Sequence, residues 1–330
     1  MTDYRYYRPR MLAFSTNLYP SDIGWARENP HVLARTLATI RARGPMASSD
    51  FERPDDGRRA EAWDWFGLKE SRRALHVLWT TGELMIHSRR AGQRVYDVRE
   101  RVLAEAFGRV PSDTRLPDPA ERQRYFVRRT VRALGIVTPS WLWDYFRLKL
   151  SEGQARSRRG AAAELLDELV AKRVLVPVTV EGLDEPAYLA RERLSDLERL
   201  RAGATPARTT LLSPFDNLIW HRDRARALFG YEVCFEAYVL PEKRRYGYYC
   251  LAILHHGRLV GRLDPKYDRA EGALRVRALY LEPGVAAGDA LLSGLASAVG
   301  ELARFVGARV VVVERAHPQR AFGAVVFGIQ

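Results

Sequence analysis

The chain has 330 residues, which is enough for two or three modules with separate hydrophobic cores. Its formal net charge of +13 favours a polyanionic partner, above all nucleic acid, although a basic surface that only maintains solubility is the alternative. The cysteines, Cys234 and Cys250, lack metal-ligand spacing, and no apolar run suits a membrane span or a signal peptide, so we expect a cytoplasmic protein without zinc, disulfides or cofactor.

The first part of the chain predicts a short N-terminal segment followed by helices. Residues 1–21 are aromatic and basic without clear periodicity. Ser21 or Asp22 is expected to cap a short helix, and Asn29-Pro30 opens a longer one that ends at Gly44-Pro45. Residues 48–51 favour a further brief helix.

Residues 69–97 carry the most informative pattern, a helix followed by two strands and a basic turn. Leu75, Leu78 and Trp79 form one apolar stripe, and Gly82 suits the end of a helix. Strands are expected at 84–88 and 94–96. This order is typical of a winged helix, in which the helix enters a DNA major groove and the wing contacts phosphates. The candidate DNA contacts are Lys69, Arg72, Arg73 and His76 on the helix and Arg89, Arg90, Gln93 and Arg94 on the wing. We therefore predict a winged helix module over residues 22–110.

The same order of elements returns over residues 111–200. Helices are expected at 119–134, from Thr138-Pro139 through the sequence WLWDYFRL, and at 157–173, and strands at 175–180 and 186–189. The second wing is acidic, with Glu181, Asp184 and Glu185, so it should be repelled by phosphate. If this module contacts DNA, the contact is expected either from its first helix, at Arg128, Arg129 and Arg132, or from the start of its third helix, at Arg156, Arg158 and Arg159.

From residue 201 the character changes to a β-rich domain. Residues 246–264 predict a hairpin whose turn is formed by residues 255–258. Residues 273–283 alternate like another strand, residues 287–306 suit an apolar helix, and residues 310–313 suit a final strand. The fold class is therefore predicted as α+β, with tandem winged helix-turn-helix modules followed by a β-rich C-terminal domain that is dominated by antiparallel strands.

Three groups in this last domain invite a chemical interpretation. Asp216, in the sequence SPFD, is either a catalytic carboxylate or, as we favour, the anchor of a turn. His255 and His256 do not suit a metal pair, because adjacent strand residues point to opposite faces of a sheet; with Arg258 they form a tip that probes a DNA groove or is simply exposed. The basic residues of the nearby aromatic loop suit phosphate contact and base stacking, although a solvated loop would look similar; they are Lys243, Arg244 and Arg245.

The sequence lacks the Walker loop and the motifs G-x-G-x-x-G, G-x-S-x-G and H-E-x-x-H. The deaminase motifs, H-x-E with P-C-x-x-C, are also missing. Judged by motifs alone, the chain is a DNA-binding protein without a recognised active site.

Seven segments in chain order carry a resemblance to a known family: YYRPRM (6–11), GWARENP (24–30), RARGPMASSDFE (41–52), GELMIHSRRAGQRVYD (82–97), LLSPFDNLIWHRDRARALFGYEVCFEAYV (211–239), KRRYGYYCLAIL (243–254) and GRLVGRLDPKYDR (257–269). The family is the AlkZ/YcaQ group of bacterial DNA glycosylases. The SPFD and KRRYGYY parts are the most specific, and the resemblance extends over nearly the whole chain.

The resemblance implies tandem winged helices and a β-rich C-terminal domain that form a basic concave cleft for duplex DNA. It implies hydrolysis of the N-glycosidic bond of N7-alkylated bases and unhooking of interstrand crosslinks by a monomer on the nucleoid. In that family a Gln-x-Gln or Gln-x-Asp motif positions water. Because N7 alkylation already makes the base a good leaving group, oriented water and stabilised positive charge suffice for the reaction.

The sequence departs from the family at this catalytic motif. None of the five glutamines heads such a motif; they are Gln93, Gln123, Gln154, Gln319 and Gln330. In the family the motif precedes the segment that corresponds to YYRPRM, so we expect the two modules to match the family's second and third winged helices. Either the gene start is assigned too far downstream, which we favour, or the chain is a natural truncation. We therefore assign no catalytic residue. The alternative function is a non-enzymatic DNA-binding protein with a regulatory or architectural role.

Overall fold

A computed structural model describes residues 2–14, 18–51, 70–147 and 157–317. The chain divides into two compact units, Met1–Tyr125 and Phe126–Gln330, with the division inside one helix. The finer boundaries expected from the sequence, near residues 21, 110 and 200, remain predictions. Lys69 and Arg156, two of the candidate DNA contacts, lie outside the described residues. Within the described ranges, no helix has both the length and the apolar character needed to cross a membrane.

The first unit contains helices packed beside a small antiparallel sheet. Its helices are α1 (Thr2–Leu12), α2 (Pro20–Glu28), α3 (Pro30–Arg43), α4 (Glu70–Thr80), α5 (Arg99–Phe107) and the first part of α6 (Pro119–Leu134). Its strands are β1 (Met46–Ala47), β2 (Leu84–Arg90) and β3 (Gln93–Val98), in the sheet order β1-β3-β2, and a 3-10 turn covers Ser48–Asp50. The helix from Pro30 to Gly44, the brief helix at 48–51 and the hairpin after Gly82 are thereby confirmed.

Helix α4 and its terminal glycine follow the sequence pattern closely. Its apolar stripe buries Leu75 and Leu78 in a core with α3 and the sheet. The helix ends in a Schellman motif: the Gly82 amide donates to the Trp79 carbonyl at 3.1 Å and the Glu83 amide to the Leu78 carbonyl at 2.9 Å. Gly82 has φ of +76°, a backbone conformation that glycine adopts without strain.

The N-terminal segment has no clear periodicity in its sequence, and yet it contains helix α1. Its apolar side chains do not gather on one face, and Pro9 lies inside it, so the sequence carries no helical signal. Helix α1 is instead held by Arg8, a buried guanidinium that pairs with Asp113 at 2.9 Å and donates to the carbonyl oxygens of Thr81 and Gly82.

The expected cap of the next helix is wrong. Helix α2 starts two residues earlier than a cap at Ser21 would place it, with Tyr19 as N-cap and Pro20 in the first turn. Proline suits this place because the first amide of a helix has no intrahelical partner. Asp22 lies inside the first turn, where its negative charge interacts favourably with the positive end of the helix dipole.

The second unit contains the rest of α6 and two further sheets. Its helices are α7 (Arg158–Ala171), α8 (Leu194–Arg201), α9 (Arg222–Phe229) and α10 (Asp289–Val306), with 3-10 turns at Pro139–Trp141, Arg191–Arg193 and Pro241–Lys243. Its strands are β4 (Ile136–Val137), β5 (Leu175–Val178), β6 (Ala187–Ala190), β7 (Thr209–Leu212), β8 (Leu251–His255), β9 (Arg258–Asp268), β10 (Ala273–Leu281), β11 (Val310–Val313) and β12 (Ala316–His317).

The first sheet of this unit repeats the strand order of the first unit. A two-residue strand follows a helix that ends at a glycine, and it pairs with the last strand of a hairpin, giving the order β4-β6-β5. The first unit has the same arrangement after Gly44, with β1 on β3. Helices α6 and α7 pack on this sheet through Val127, Val131 and Leu166.

The helix expected for the sequence WLWDYFRL is wrong. Only Pro139–Trp141 is helical, as a 3-10 turn, and non-helical turns follow as far as residue 147. Three consecutive side chains, Trp141, Leu142 and Trp143, are all buried. The face of an α-helix repeats every three to four residues, so burial of three neighbours in a row favours an irregular turn.

The larger sheet follows the order β11-β10-β9-β8-β7, with β12 also on β10. Strands β7 to β10 are antiparallel, but β11 and β12 pair parallel to β10, so the expectation of antiparallel strands holds only for part of the sheet. Parallel neighbours need a crossover, and α10 provides it between β10 and β11. Leu291, Leu295 and Val299 lie one turn apart along α10 and bury one face of this helix in the core.

Candidate nucleic-acid interface

The hairpin of the first unit presents basic side chains on a tight turn. Ala91 and Gly92 connect β2 and β3 with φ of 48° and 81°, the two left-handed positions of a type I′ turn. Arg89 is exposed and donates to the Gly92 carbonyl at 3.3 Å. Gln93 is exposed as well, and its amide oxygen accepts from Ser49 Oγ at 3.0 Å.

Two other arginines of this hairpin are engaged within the unit. Arg90 forms an ion pair with Asp50, whose pKa is lowered by the backbone amide of Ala47 and, after a smaller opposing effect of burial, by Arg90. The Arg94 guanidinium stacks 4.6 Å from the centre of the Trp79 ring. Arg94 still exposes its edge to solvent, because a stacked guanidinium keeps its N–H donors free to point outwards.

Helix α4 places its candidate contacts unequally. Arg72 is exposed. Arg73 donates to Asp22 at 3.1 Å, and its guanidinium lies 5.2 Å from the centre of the Trp25 ring, so it joins α4 to α2. His76 Nε2 lies 3.7 Å from the same carboxylate of Asp22. Arg72, Arg73 and His76 were predicted as equal candidates for DNA contact. In the structure, Arg73 and His76 already have a partner on α2.

The start of α7 carries two further candidate arginines. Ser157 caps the helix, accepting a hydrogen bond from the Gly160 amide at 3.0 Å, as a serine in this position favours. Arg158 is exposed on the first turn. Arg159 pairs with Glu185 at 3.1 Å, so one acidic residue of the β5–β6 hairpin is neutralised inside the unit. Ser140 Oγ also donates to Glu185 at 3.1 Å.

The tip of the β8–β9 hairpin brings the two histidines together, and the expectation that their rings diverge is wrong. The rings stack with centroids 3.9 Å apart, because His256 leaves the strand with φ of 47° and Gly257 follows with φ of 80°. His255 Nδ1 lies 2.7 Å from Thr209 Oγ1, and burial, with the nearby His256, lowers the pKa of His255. The exposed donors of the tip are His256 and Arg258.

The aromatic and basic loop over residues 243–249, here named the clamped loop, is tied down by two carboxylates. Glu236 accepts from the amides of Arg245, Tyr246 and Gly247 at 2.8, 2.9 and 3.2 Å. Burial by itself raises the pKa of the Glu236 carboxyl, but these three amides and Arg244 lower it more, so its net pKa lies below the ordinary value.

The second carboxylate is Asp264, which is buried in strand β9. It accepts from the amides of Tyr248 and Tyr249, each at 3.2 Å. Gly247 passes so close to it that a Cβ at this position would lie 2.3 Å from Asp264 Oδ2. The clamped loop is thus a built structure with all of its amides from 245 to 249 satisfied.

Three basic residues extend from the clamped loop. Lys243 is exposed. The Arg244 guanidinium lies 5.0 Å from the centre of the Tyr248 ring and donates to the Val239 carbonyl at 2.8 Å, and Arg245 stacks 4.8 Å over Tyr246. Basic groups held against aromatic rings are typical of surfaces that bind nucleic acid strands.

Asp216 in the sequence SPFD anchors a turn, as we favoured. Its Oδ1 accepts from the Leu218 amide at 2.9 Å, and its carbonyl accepts from the Trp220 amide at 2.9 Å. Ser213 Oγ lies 2.9 Å from the Tyr249 hydroxyl, which joins this turn to the clamped loop. Within the described residues, no three His, Cys, Asp or Glu side chains are grouped to hold a metal ion.

A buried arginine fixes the position of the SPFD turn. The Arg224 guanidinium donates to the Leu134 carbonyl at 2.5 Å, at the C-terminus of α6, and to the Leu218 carbonyl at 2.9 Å. Burial lowers the pKa of Arg224 to about 10. This role of Arg224 has no signal in the sequence, because its partners are backbone carbonyls.

A basic groove in the first unit was also not predicted from the sequence. It has a volume of about 570 Å³ between α1 and the loop after α5. Its lining combines arginines with tyrosines: Tyr4, Arg5, Tyr6, Arg109 and Arg115. Recognition of α1 as a helix would have been needed to place Tyr4 to Tyr6 beside this loop.

Two comparisons relate this chain to known proteins. A family model described as DNA glycosylase AlkZ-like matches residues 1–305. Among solved structures, the Streptomyces sahachiroi DNA glycosylase AlkZ is similar, with a TM-score of 0.52 and 16% sequence identity over 95% of this chain and 77% of that chain. At this identity the structural match supports the shared α+β fold. The family model covers most of the chain, and the chain therefore belongs to the AlkZ-like DNA glycosylase family.

Proposed function

We propose that the protein acts in repair of alkylated duplex DNA, on N7-alkylated bases and on interstrand crosslinks that contain them. The observation that carries this proposal is the family match over residues 1–305. The net charge of +13 and the exposed arginines of both units support a polyanionic substrate. Such a function suits a monomer associated with the nucleoid.

We further propose that residues 22–110 and 111–200 are winged helix modules and that residues 201–330 form the β-rich domain. The shared sheet orders, β1-β3-β2 and β4-β6-β5, support this division, because a helix-rich module with a three-stranded sheet and one hairpin is the arrangement of a winged helix. The hairpins differ in charge, so the first is the better candidate for a wing on phosphate.

The contacts that we propose for DNA follow from the geometry of each side chain. The exposed groups are Arg72, Arg89, Gln93, Arg94, Lys243, His256 and Arg258. Arg158 is a further exposed candidate outside this first set. A second set needs an existing partner to be exchanged for phosphate, and it comprises Arg73, His76, Arg90, Arg159, Arg244, Arg245 and His255. We expect the first set to contribute more, because an exposed pair must be broken before its arginine is released.

The proposed chemistry is hydrolysis of the N-glycosidic bond of a base that alkylation has already made a good leaving group. None of the glutamines of this chain heads a Gln-x-Gln or Gln-x-Asp motif, and Asp216 anchors a turn. We therefore propose that this chain holds the damaged DNA and that its residues do not themselves activate water. The same absence favours the alternative, a DNA-binding protein without enzymatic activity.

The test uses the 330-residue chain and a duplex with a single N7-methylguanine. Binding is measured by fluorescence anisotropy against the undamaged duplex, and free base is measured by mass spectrometry against a control without protein. We expect salt-dependent binding of both duplexes, tighter binding of the methylated one and no release of base above the control. Equal affinity for both duplexes would favour the non-enzymatic alternative, and release of 7-methylguanine would refute the claim about catalysis. Failure to bind either duplex would refute the function altogether.

A further inference from the structure

Four aromatic rings from separate segments meet on the surface of the second unit. Phe235 lies at the centre, with its ring 5.0 Å from Phe215, 5.9 Å from Tyr238 and 5.7 Å from Tyr249, measured between centroids. We name these four residues the ring cluster. Phe215 also lies 6.2 Å from Tyr249, so the rings form a connected group of edge-on and tilted contacts.

The outer rings of this cluster are far more exposed than an apolar side chain usually is. Tyr238 is 90% exposed and Phe215 is 63% exposed, although Phe235 beside them is half-buried. Contiguous exposed aromatic surface is unfavourable in water and marks a binding site in a soluble protein. The cluster therefore presents ring surface that a partner would cover.

The backbone segments that carry the exposed rings are held by polar contacts. Ser213 Oγ accepts from the Phe215 amide at 3.2 Å and lies 2.9 Å from the Tyr249 hydroxyl. Glu236, one residue after Phe235, holds the clamped loop by three backbone amides, and its own carbonyl accepts from the Val239 amide at 3.0 Å. Rings that are ordered before binding lose little conformational entropy when a partner stacks on them.

Charge next to the cluster identifies the chemistry of the partner. The clamped loop that contains Tyr249 also carries Lys243, Arg244 and Arg245. The acidic residues beside it are Glu242, Glu236, which binds the loop amides, and Glu232, which lies 3.7 Å from Arg245. Arg244 is held over the Tyr248 ring, at 5.0 Å. Exposed rings that adjoin cations suit a ligand with flat aromatic groups and negative charge, which is the composition of a nucleic acid strand.

We infer that the ring cluster is a stacking platform for an unpaired DNA base, with the basic residues of the clamped loop on the adjoining phosphates. An unpaired base is required because both faces of a paired base inside a duplex are already covered by its neighbours, whereas an unstacked base offers a free face to an aromatic ring. This inference rests on the proposed binding of duplex DNA and adds the part of the substrate that the rings recognise.

The experiment compares two duplexes that differ in one position. In one, an aminopurine is unpaired as a single-base bulge, and in the other it is paired with thymine. The proteins are the wild-type chain, the double variant Phe215→Ala with Tyr238→Ala, the single variant Tyr238→Ala, and the control Phe305→Ala, whose ring is 87% exposed on α10. Affinity is measured by anisotropy, stacking by quenching of aminopurine fluorescence, and folding by thermal denaturation.

We expect the wild-type protein to prefer the bulged duplex and to quench its aminopurine. The double variant should bind the bulged duplex about fivefold to 150-fold more weakly, the range for loss of one stacked base, while binding of the paired duplex changes less than about twofold. The control should leave both affinities unchanged. Since Tyr238 is almost fully exposed, Tyr238→Ala separates loss of stacking from loss of folding.

Other outcomes would overturn the inference or the function separately. If the wild-type protein binds both duplexes equally, or if the double variant keeps the preference, the platform is refuted while duplex binding stands. If only the bulged duplex is bound and the rings are needed, the platform stands and the proposed action on duplex DNA fails. If the double variant instead changes the wild-type oligomeric state in size-exclusion chromatography, the rings cover a second copy of the chain and the inference is wrong.

Discussion

Replacement of the arginines in the first hairpin tests whether this hairpin contacts phosphate, and the structure makes the expected effects unequal. Arg89 is exposed, and its bond to the Gly92 carbonyl lies within its own turn, so its charge is available to DNA. Arg90 already pairs with Asp50. We therefore expect Arg89→Ala to remove one phosphate contact and Arg90→Ala to remove only a part of one.

The magnitude follows from counterion release. Each phosphate neutralised contributes about −0.9 to the slope of log K against log salt concentration. Loss of the Arg89 contact should flatten the slope by about 0.9, so the loss of affinity on raising salt from about 50 to 200 mM shrinks by about 3.5-fold. For the double variant Arg89→Ala with Arg90→Ala, we expect the slope to flatten by an amount closer to about 0.9 than to about 1.8. The larger value would apply if both arginines were available to phosphate.

The assay is anisotropy of a labelled duplex over a series of salt concentrations, with two further variants. Asp50→Asn removes the partner charge of Arg90 and leaves an oxygen to accept from the Ala47 amide, a bond of 2.9 Å in the native protein. It should steepen the slope by up to about 0.9, because Arg90 is released. Arg304→Ala removes an exposed charge from α10 and should leave the slope unchanged.

Three results would contradict this reasoning. An unchanged slope in Arg89→Ala would mean that the hairpin does not lie on phosphate. A slope in Asp50→Asn equal to that of the wild type would mean that the Arg90 ion pair does not limit binding. Equal flattening by Arg304→Ala and Arg89→Ala would reveal a general effect of net charge and no local contact.

Three further predictions concern stability. Arg224→Met removes the guanidinium donor from the buried Leu134 carbonyl and the part-buried Leu218 carbonyl, and it should lower the free energy of unfolding by about 2–4 kcal/mol in urea titration, while exposed Arg226→Met changes little; equal stability of both variants would contradict the role of the buried guanidinium. Gly247→Ala places a Cβ 2.3 Å from a carboxylate oxygen and should cost about 1–3 kcal/mol, whereas Gly24→Ala, with open space around it, should not destabilise. The lowered pKa of Glu236 stabilises the fold above its ordinary value of 4.5, and this contribution disappears as pH falls through the lowered pKa; the stability advantage of wild type over Glu236→Gln should therefore shrink in acid, and a constant difference would refute it.

The parts of the fold that could be predicted are those with local signals. Helix α4 was evident from its apolar stripe and from Gly82. The tips of the β2–β3 and β8–β9 hairpins were evident from Gly92 and Gly257. These features depend on residues within one or two turns of each other, and their physical cause is contained in the segment itself. The same reason explains why the cap of α7 at Ser157 and its buried stripe match the expected start and face.

The parts that could not be predicted depend on partners distant in the sequence. Helix α1 is held by the bond of Arg8 to Asp113, more than a hundred residues away, and its own periodicity is absent. The two-residue strands β1 and β4 are too short for alternation to appear, although each completes a sheet. The divergence of His255 and His256 was argued from strand geometry, and it failed because the turn starts at His256.

The candidate site shows the same limit. The sequence singled out the SPFD turn and the clamped loop separately, but their union through Ser213 and Tyr249 is a tertiary contact between residues 36 positions apart. Phe235 and Tyr238 were not predicted as site residues, since aromatic residues in an apolar stretch usually belong to a core. Tyr238 differs from a core residue in the exposure of its side chain, which the sequence does not reveal.

The net charge of the chain overstates the charge that DNA can use. Arg73, Arg90 and Arg159 were proposed as contacts from their positions in the sequence, yet each has a carboxylate partner within its own unit. A paired arginine adds nothing to counterion release until its partner is displaced, whereas an exposed one such as Arg89 contributes at once. The salt slope of the wild-type protein should therefore report fewer phosphate contacts than the count of basic candidates, and the Asp50→Asn variant measures directly how much of the difference these ion pairs explain.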